Sequence, residues 1–139
     1  MRIDAELRTD AQTAGWFVAR QPAVVRFLER RCGPTDAFAV ALDAAVRICA
    51  AFERAAGVPP PPVPFRLLDR ADDALAIEAL GPGAARGLAA RHPELCAWIA
   101  RWVADPPLPL TAAEAGRVGA CLTAVVYALD EITTGRPVP

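Results

Sequence analysis

Few residues in this chain are equipped for chemistry. Its 139 residues contain no Ser, Lys or Asn, one His, one Tyr and four Cys. Without Ser there is no serine nucleophile; without Lys there is neither a Schiff base nor a phosphate-binding P-loop. His92 and Cys96 are spaced four apart, as two metal ligands on one helical face would be, and Cys32, Cys49 or Cys121 would have to complete a zinc site. Against this, His92 precedes Pro93, which places it at a helix boundary, and no C-x-x-C pair occurs anywhere. The expectation is therefore no metal and no cofactor, with all four cysteines as reduced, buried thiols. Cys32 falls just before Gly33, at a helix C-terminus, where the dipole disfavours a thiolate.

Three further groups of residues invite a role. Asp69, Asp72, Asp73 and Glu78 are spaced as cation ligands can be, but the Glu-x-x-His pairs of di-iron bundles are missing, so acidic residues complementing a first helical turn are expected. Asp130-Glu131 lies near the end of the last helix, where a carboxylate gains nothing from the dipole, leaving solvation or pairing with Arg as its role. Arg20 and Arg91, like Arg30 and Arg101, recur at equivalent places in a repeat, so they could form symmetric anion clamps or could each serve their own helix end or a nearby Glu. Trp98 and Trp102 are i, i+4 neighbours, and Trp102 replaces a charged residue of the other copy. It is either covered by the loop 103–110 or exposed to a partner.

That repeat organises the elements. ARQPAVVRFLER at 19–30 returns as ARHPELCAWIAR at 90–101, with Ala, Arg, Pro and Arg identical and Gln21/His92, Val24/Leu95, Phe27/Trp98 and Leu28/Ile99 as conservative pairs. Pro22 and Pro93 suit the first turn of a helix. Thr35 then opens a run to about Ala56, and Thr111 with Glu114 forms a capping box opening a run to about Ile132. Short helices are expected before each proline, roughly 5–20 and 84–91. VPPPPVP at 58–64 reads as a polyproline spacer rather than a docking peptide, and a helix is expected over about 69–80, closed by Gly81-Pro82-Gly83. The fold class is thus all-α: a single domain over 1–139, with repeats at approximately 5–57 and 84–135.

Composition narrows the function. Net charge is −1 and the sequence pI about 5.8, without the basic stripe of a nucleic-acid binder. The abundance of Ala, Arg, Gly and Pro fits a GC-rich bacterial genome. No uninterrupted apolar run approaches the roughly 18 residues of a membrane span, and charges occupy the N-terminus where a signal peptide needs apolar residues. The expectation is a cytoplasmic, non-enzymatic helical module that binds a second copy, as a dimer, or another cytoplasmic protein. Trp98, Trp102, Arg20 and Arg91 are the candidate contact residues. The alternative is a regulatory domain holding an anionic small molecule in a pocket between the repeats, with Arg20 or Arg91 fixing the anion.

Overall fold

Prolines and caps set the boundaries of the helices. The computed structural model describes residues 11–78 and 84–134, and these form seven helices, with no strand among the described residues. They are α1 (Ala11–Arg20), α2 (Pro22–Cys32), α3 (Asp36–Ala56), α4 (Phe65–Glu78), α5 (Ala84–Arg91), α6 (Pro93–Ala104) and α7 (Ala112–Thr134). The expected start of the first helix at 5–10, the Gly81-Pro82-Gly83 stop and residues 135–139 lie outside the described residues.

Pro22 and Pro93 occupy the first turns of α2 and α6, where the missing N–H has no intrahelical partner to lose. The residues before them take the same backbone conformation, φ −125° and ψ 57° at Gln21, φ −131° and ψ 59° at His92. The helical ladder continues across both breaks. Gln21 N donates to Phe17 O at 2.8 Å and Val25 N to Gln21 O at 3.2 Å; His92 N donates to Leu88 O at 2.7 Å and Cys96 N to His92 O at 3.0 Å. Helices α1–α2 and α5–α6 are therefore two bent rods, each kinked by its proline.

The long helices begin at the expected threonines. Thr35 Oγ1 accepts from Ala37 N at 3.2 Å. At the second, Glu114 N donates to Thr111 Oγ1 at 3.1 Å while Thr111 N donates to Glu114 Oε1 at 2.9 Å, a reciprocal capping box. Gly57 ends α3 with φ +80°, a left-handed conformation open to glycine at no steric cost, and its N–H closes the helix on Glu53 O.

Two boundaries depart from expectation. Helix α4 starts at Phe65 rather than Asp69, because the Pro64 carbonyl accepts from Leu67 N and Leu68 N and starts the turn directly off the proline run. Asp69 therefore falls outside the first turn. Helix α6 continues through Ala104, so Trp102 and Val103 are helical and the connection to α7 begins at Asp105.

Helix α7 is the centre of the bundle and packs on α2, α3, α4 and α6. Residues 124–130 are buried without interruption, so every side of that stretch meets protein. By length and mean hydropathy (1.3) α7 is also long and apolar enough to cross a membrane, yet half of its most apolar stretch is buried by the other helices. Alanines Ala41, Ala44, Ala45, Ala124 and Ala128 are wholly buried, which lets α3 and α7 approach closely.

The capping box sets the start of this central helix. Thr111→Ala removes the acceptor for Glu114 N and should lower unfolding free energy by about 1 kcal/mol. Urea unfolding measures it; an unchanged midpoint would mean that the start of α7 is fixed by packing alone.

Candidate functional site

The two residues that precede the helix-breaking prolines are both polar and both directed inward. Gln21 is 2% exposed. Its Nε2 donates to Pro61 O at 3.0 Å and its Oε1 accepts from Val63 N at 2.9 Å, so one carboxamide satisfies two backbone groups of the proline run. His92 Nε2 lies 2.7 Å from Asp130 Oδ1, and Arg91 Nε donates to Asp130 Oδ2 at 3.0 Å. Asp130, next to Arg91, is the acceptor, so Nε2 carries the imidazole proton. Phe52 packs against the imidazole, 5.6 Å between centroids.

Asp130 was not among the candidate contact residues read from the sequence. It is 2% exposed, and its carboxylate balances Arg91 inside the bundle. Pairing with Arg is the role that position left open; the partner was invisible because it comes from 39 residues away. A His–Asp pair is also the base and orienting acid of nucleophilic catalysis. Here the remaining ring nitrogen, Nδ1, is buried with no hydrogen-bond partner among the described residues, so no thiol or hydroxyl among them receives its help. The arrangement ties the α5–α6 bend to the end of α7.

Arg20 and Arg91, equivalent in sequence, go to different partners. Arg91 is committed to Asp130, whereas the Arg20 guanidinium stacks on Trp16, 5.8 Å from the ring centroid. No symmetric clamp joins them. Arg30 stacks on Phe65. Arg31 takes the carboxylates assigned above to a helix N-terminus: it bonds Asp69 at 3.0 Å and Asp72 at 2.9 Å, bridging α2 to α4. Burial raises the Asp72 carboxyl above its usual value against the pull of Arg31.

The tryptophans are inside. Trp98 is 6% exposed, and Trp102 is half-buried. Their rings stack at 4.9 Å, Trp102 Nε1 donates to Val40 O at 3.2 Å, and Arg47 covers the Trp102 ring at 5.2 Å. Trp102 thus docks on α3. Its counterpart Arg31 lies over Phe27, the counterpart of Trp98, at 5.5 Å. Each caps the core aromatic at the aligned position of its own segment, one as a cation over Phe27 and one as a ring against Trp98, which explains how a charge and a tryptophan occupy one aligned position.

His92 and Cys96 do not belong to a metal-binding group: no cluster of three or more His, Cys, Asp or Glu side chains suited to an ion occurs among the described residues. Burial raises the thiol of Cys96 and pushes that of Cys49 up to about 12. Cys32 behaves otherwise. The Cys121 thiol lowers its pKa, with help from Arg117, against the opposing effect of burial.

The exposed aromatic surface lies elsewhere, at Trp16, which is 56% exposed. It borders an open groove of about 440 Å³ between α1, α3 and the proline run, lined among others by Phe17, Arg20, Cys49, Glu53, Pro59 and Pro60. This groove is formed within residues 16–60, not between the two helical sets, where buried alanines and leucines fill the space. Arg20 and Glu53 both line it, and no ion pair engages either among the described residues. Sequence reasoning passed over Trp16 because the residue aligned with it, 87, is Gly.

Comparison with protein-family models, with curated proteins and with solved structures finds no match to this chain.

Asp130→Asn removes the charge that balances Arg91 while keeping the shape of the side chain. Unfolding free energy should fall by roughly 3 kcal/mol, at the lower end for a broken buried pair because the Arg91 head reaches solvent. Denaturant titration reads the change. A loss below about 0.5 kcal/mol, the ordinary range of a neutral surface substitution, would show that the α5–α6 bend does not depend on this contact.

Proposed function

We propose that this chain is a non-enzymatic helical module that works by self-association, and that its partner is a second copy docked on the Trp16 groove. The observation that carries the reading is the charge pattern of the groove. Its lining holds one cation, Arg20, and one carboxylate, Glu53, neither of them ion-paired among the described residues, together with apolar Trp16, Phe17, Pro59 and Pro60. A surface bearing both signs is complementary to itself under a twofold axis, since Arg20 of each copy can meet Glu53 of the other. Trp16, with Val58 beside the groove at 62% exposure, supplies apolar area of the kind that dominates binding energy in packed contacts.

The contact surface is thereby moved from Trp98 and Trp102, whose rings serve the bundle, to α1 and the start of the proline run. An anionic small molecule held by Arg20 is less well supported. Glu53 lines the same groove and repels an anion, and Arg91 is already neutralised by Asp130.

The same reading includes a duplicated architecture, residues 5–57 and 84–135 as two copies of one unit joined by a polyproline spacer over 58–64. Support comes from the matched dihedrals at Gln21 and His92, the paired ladder bonds across Pro22 and Pro93, and the burial of aligned Val24/Leu95, Phe27/Trp98 and Leu28/Ile99. Divergence between copies then gave the first its exposed Trp16 and the second its internal Trp102.

Charge exchange tests the docking. Arg20→Glu alone and Glu53→Arg alone each place like charges opposite one another twice per dimer, and each should weaken self-association at least tenfold in sedimentation. Mixed together, the two variants restore both opposite-sign contacts, so a heterodimer should form with near wild-type affinity. A wild type that stays monomeric at tens of micromolar, or single variants that dimerise undiminished, would overturn the reading.

A further inference from the structure

The proline run between α3 and α4 is held on one edge only. Each proline fixes its own φ and keeps the residue before it extended, so the run follows the three-residue period of polyproline II. Exposure has the same period. Val63 is buried and Pro60 half-buried, on the edge that Gln21 grips; Val58, Pro61 and Pro64 on the second edge, and Pro59 and Pro62 on the third, are all exposed. Spanning the bundle requires no apolar edge in solvent, so these two edges go beyond what a connection needs.

Hydrogen bonding along the run is equally one-sided. Val63 carries the only backbone N–H between 59 and 64, and Gln21 takes it. The carbonyls of Pro60 and Pro61 meet the Gln21 carboxamide and that of Pro64 starts α4, which leaves those of Pro59 and Pro62 with no partner among the described residues. What docks on the third edge must therefore bring an apolar face and a donor together. An indole brings both, and aromatic side chains are the usual readers of this backbone conformation. Trp16 is 56% exposed at the groove, and its Nε1 donates to no group among the described residues.

We infer that the proline run is the segment the second copy lays in the groove, with Trp16 of each protomer packed on the Pro59–Pro62 edge of its partner and its indole N–H donated to a carbonyl there. This contact rests on the self-association proposed above and names what fills the groove.

The order of the charges carries the placement. Trp16 precedes Arg20 by one turn of α1, about 6 Å along the axis, and Glu53 lies in the last turn of α3, just before Val58 and the run. Setting Arg20 against Glu53 of the second copy therefore brings Trp16 to the second copy's prolines. The same groove is lined by Trp16 and by Pro59 and Pro60 of its own chain, so reader and run share one face, and a twofold axis through that face makes the contact reciprocal. Gln21 already holds the run in place, so little conformational freedom is lost on docking.

The test is an isotope-filtered NOE measurement on an equal mixture of labelled and unlabelled full chain, which records contacts between copies only. Cross-peaks from the Trp16 indole ring to the ring protons of Pro59 and Pro62 are expected. Pro62→Glu, which alters none of the groups that Gln21 bonds, should weaken self-association at least tenfold in sedimentation; Leu108→Glu, the same change at an exposed apolar residue outside the groove lining, should leave it unaltered. The wild-type spectrum decides the question even if a variant folds poorly. Dimers that obey the Arg20 and Glu53 charge exchange but show no Trp16 contact with the run, or that form undiminished with Pro62→Glu, would overturn this inference and leave self-association standing. A wild type that stays monomeric at tens of micromolar would overturn both.

Discussion

A proline in the first turn of a helix forces the residue before it out of helical geometry. In this chain that happens twice, at Gln21 and His92, and both side chains turn toward the interior. A buried polar group without a partner costs on the order of 1–3 kcal/mol. Each must therefore find one, and each does so far along the sequence. Gln21 takes two backbone groups of the proline run, and His92 takes a carboxylate near the end of α7. The first contact fixes where the chain crosses from one helical set to the next; the second fixes the α5–α6 bend against the central helix.

Around these two ties the apolar packing is generic in kind and specific in placement. Alanine lets α3 and α7 come close, and Phe27 and Trp98 fill equivalent places on α2 and α6. Each aromatic is then capped from outside, one by Arg31 and one by Trp102. The arginines of a chain without lysine are thereby distributed among several jobs: covering rings, bridging α2 to α4, neutralising Asp130. Arg20 stacks on Trp16 and forms no ion pair among the described residues, which leaves its charge available beside the groove.

Local rules were enough to read the helices and their caps. Thr35, Thr111 with Glu114, Pro22 and Pro93 all act within four residues of themselves, and a sequence states such interactions directly. The start of α4 was misplaced because the first acceptor is a proline carbonyl, which side-chain chemistry does not advertise. The site was far less legible. Arg20 was recognised for its charge, and Trp16 lies four residues before it on α1, but Glu53 and the prolines join them only through the fold. Trp102 looked available because an aligned charge implied solvent; in fact Arg31 and Trp102 both shield a ring, and shielding does not require polarity. Asp130 was conspicuous as an acid in an apolar helix, yet its partners lie near residue 92.

The account holds that two buried polar ties build a rigid frame, and that the frame leaves one self-complementary groove for a second copy. Amide hydrogen exchange of the unmodified protein, followed as a function of its concentration, tests both halves at once. The Val63 amide, bonded to Gln21 inside the frame, should exchange slowly at every concentration. Amides of α1 around Trp16 and Arg20 should gain protection as the concentration rises through the micromolar range. Protection of α1 that does not change with concentration, or rapid exchange at Val63, would contradict it.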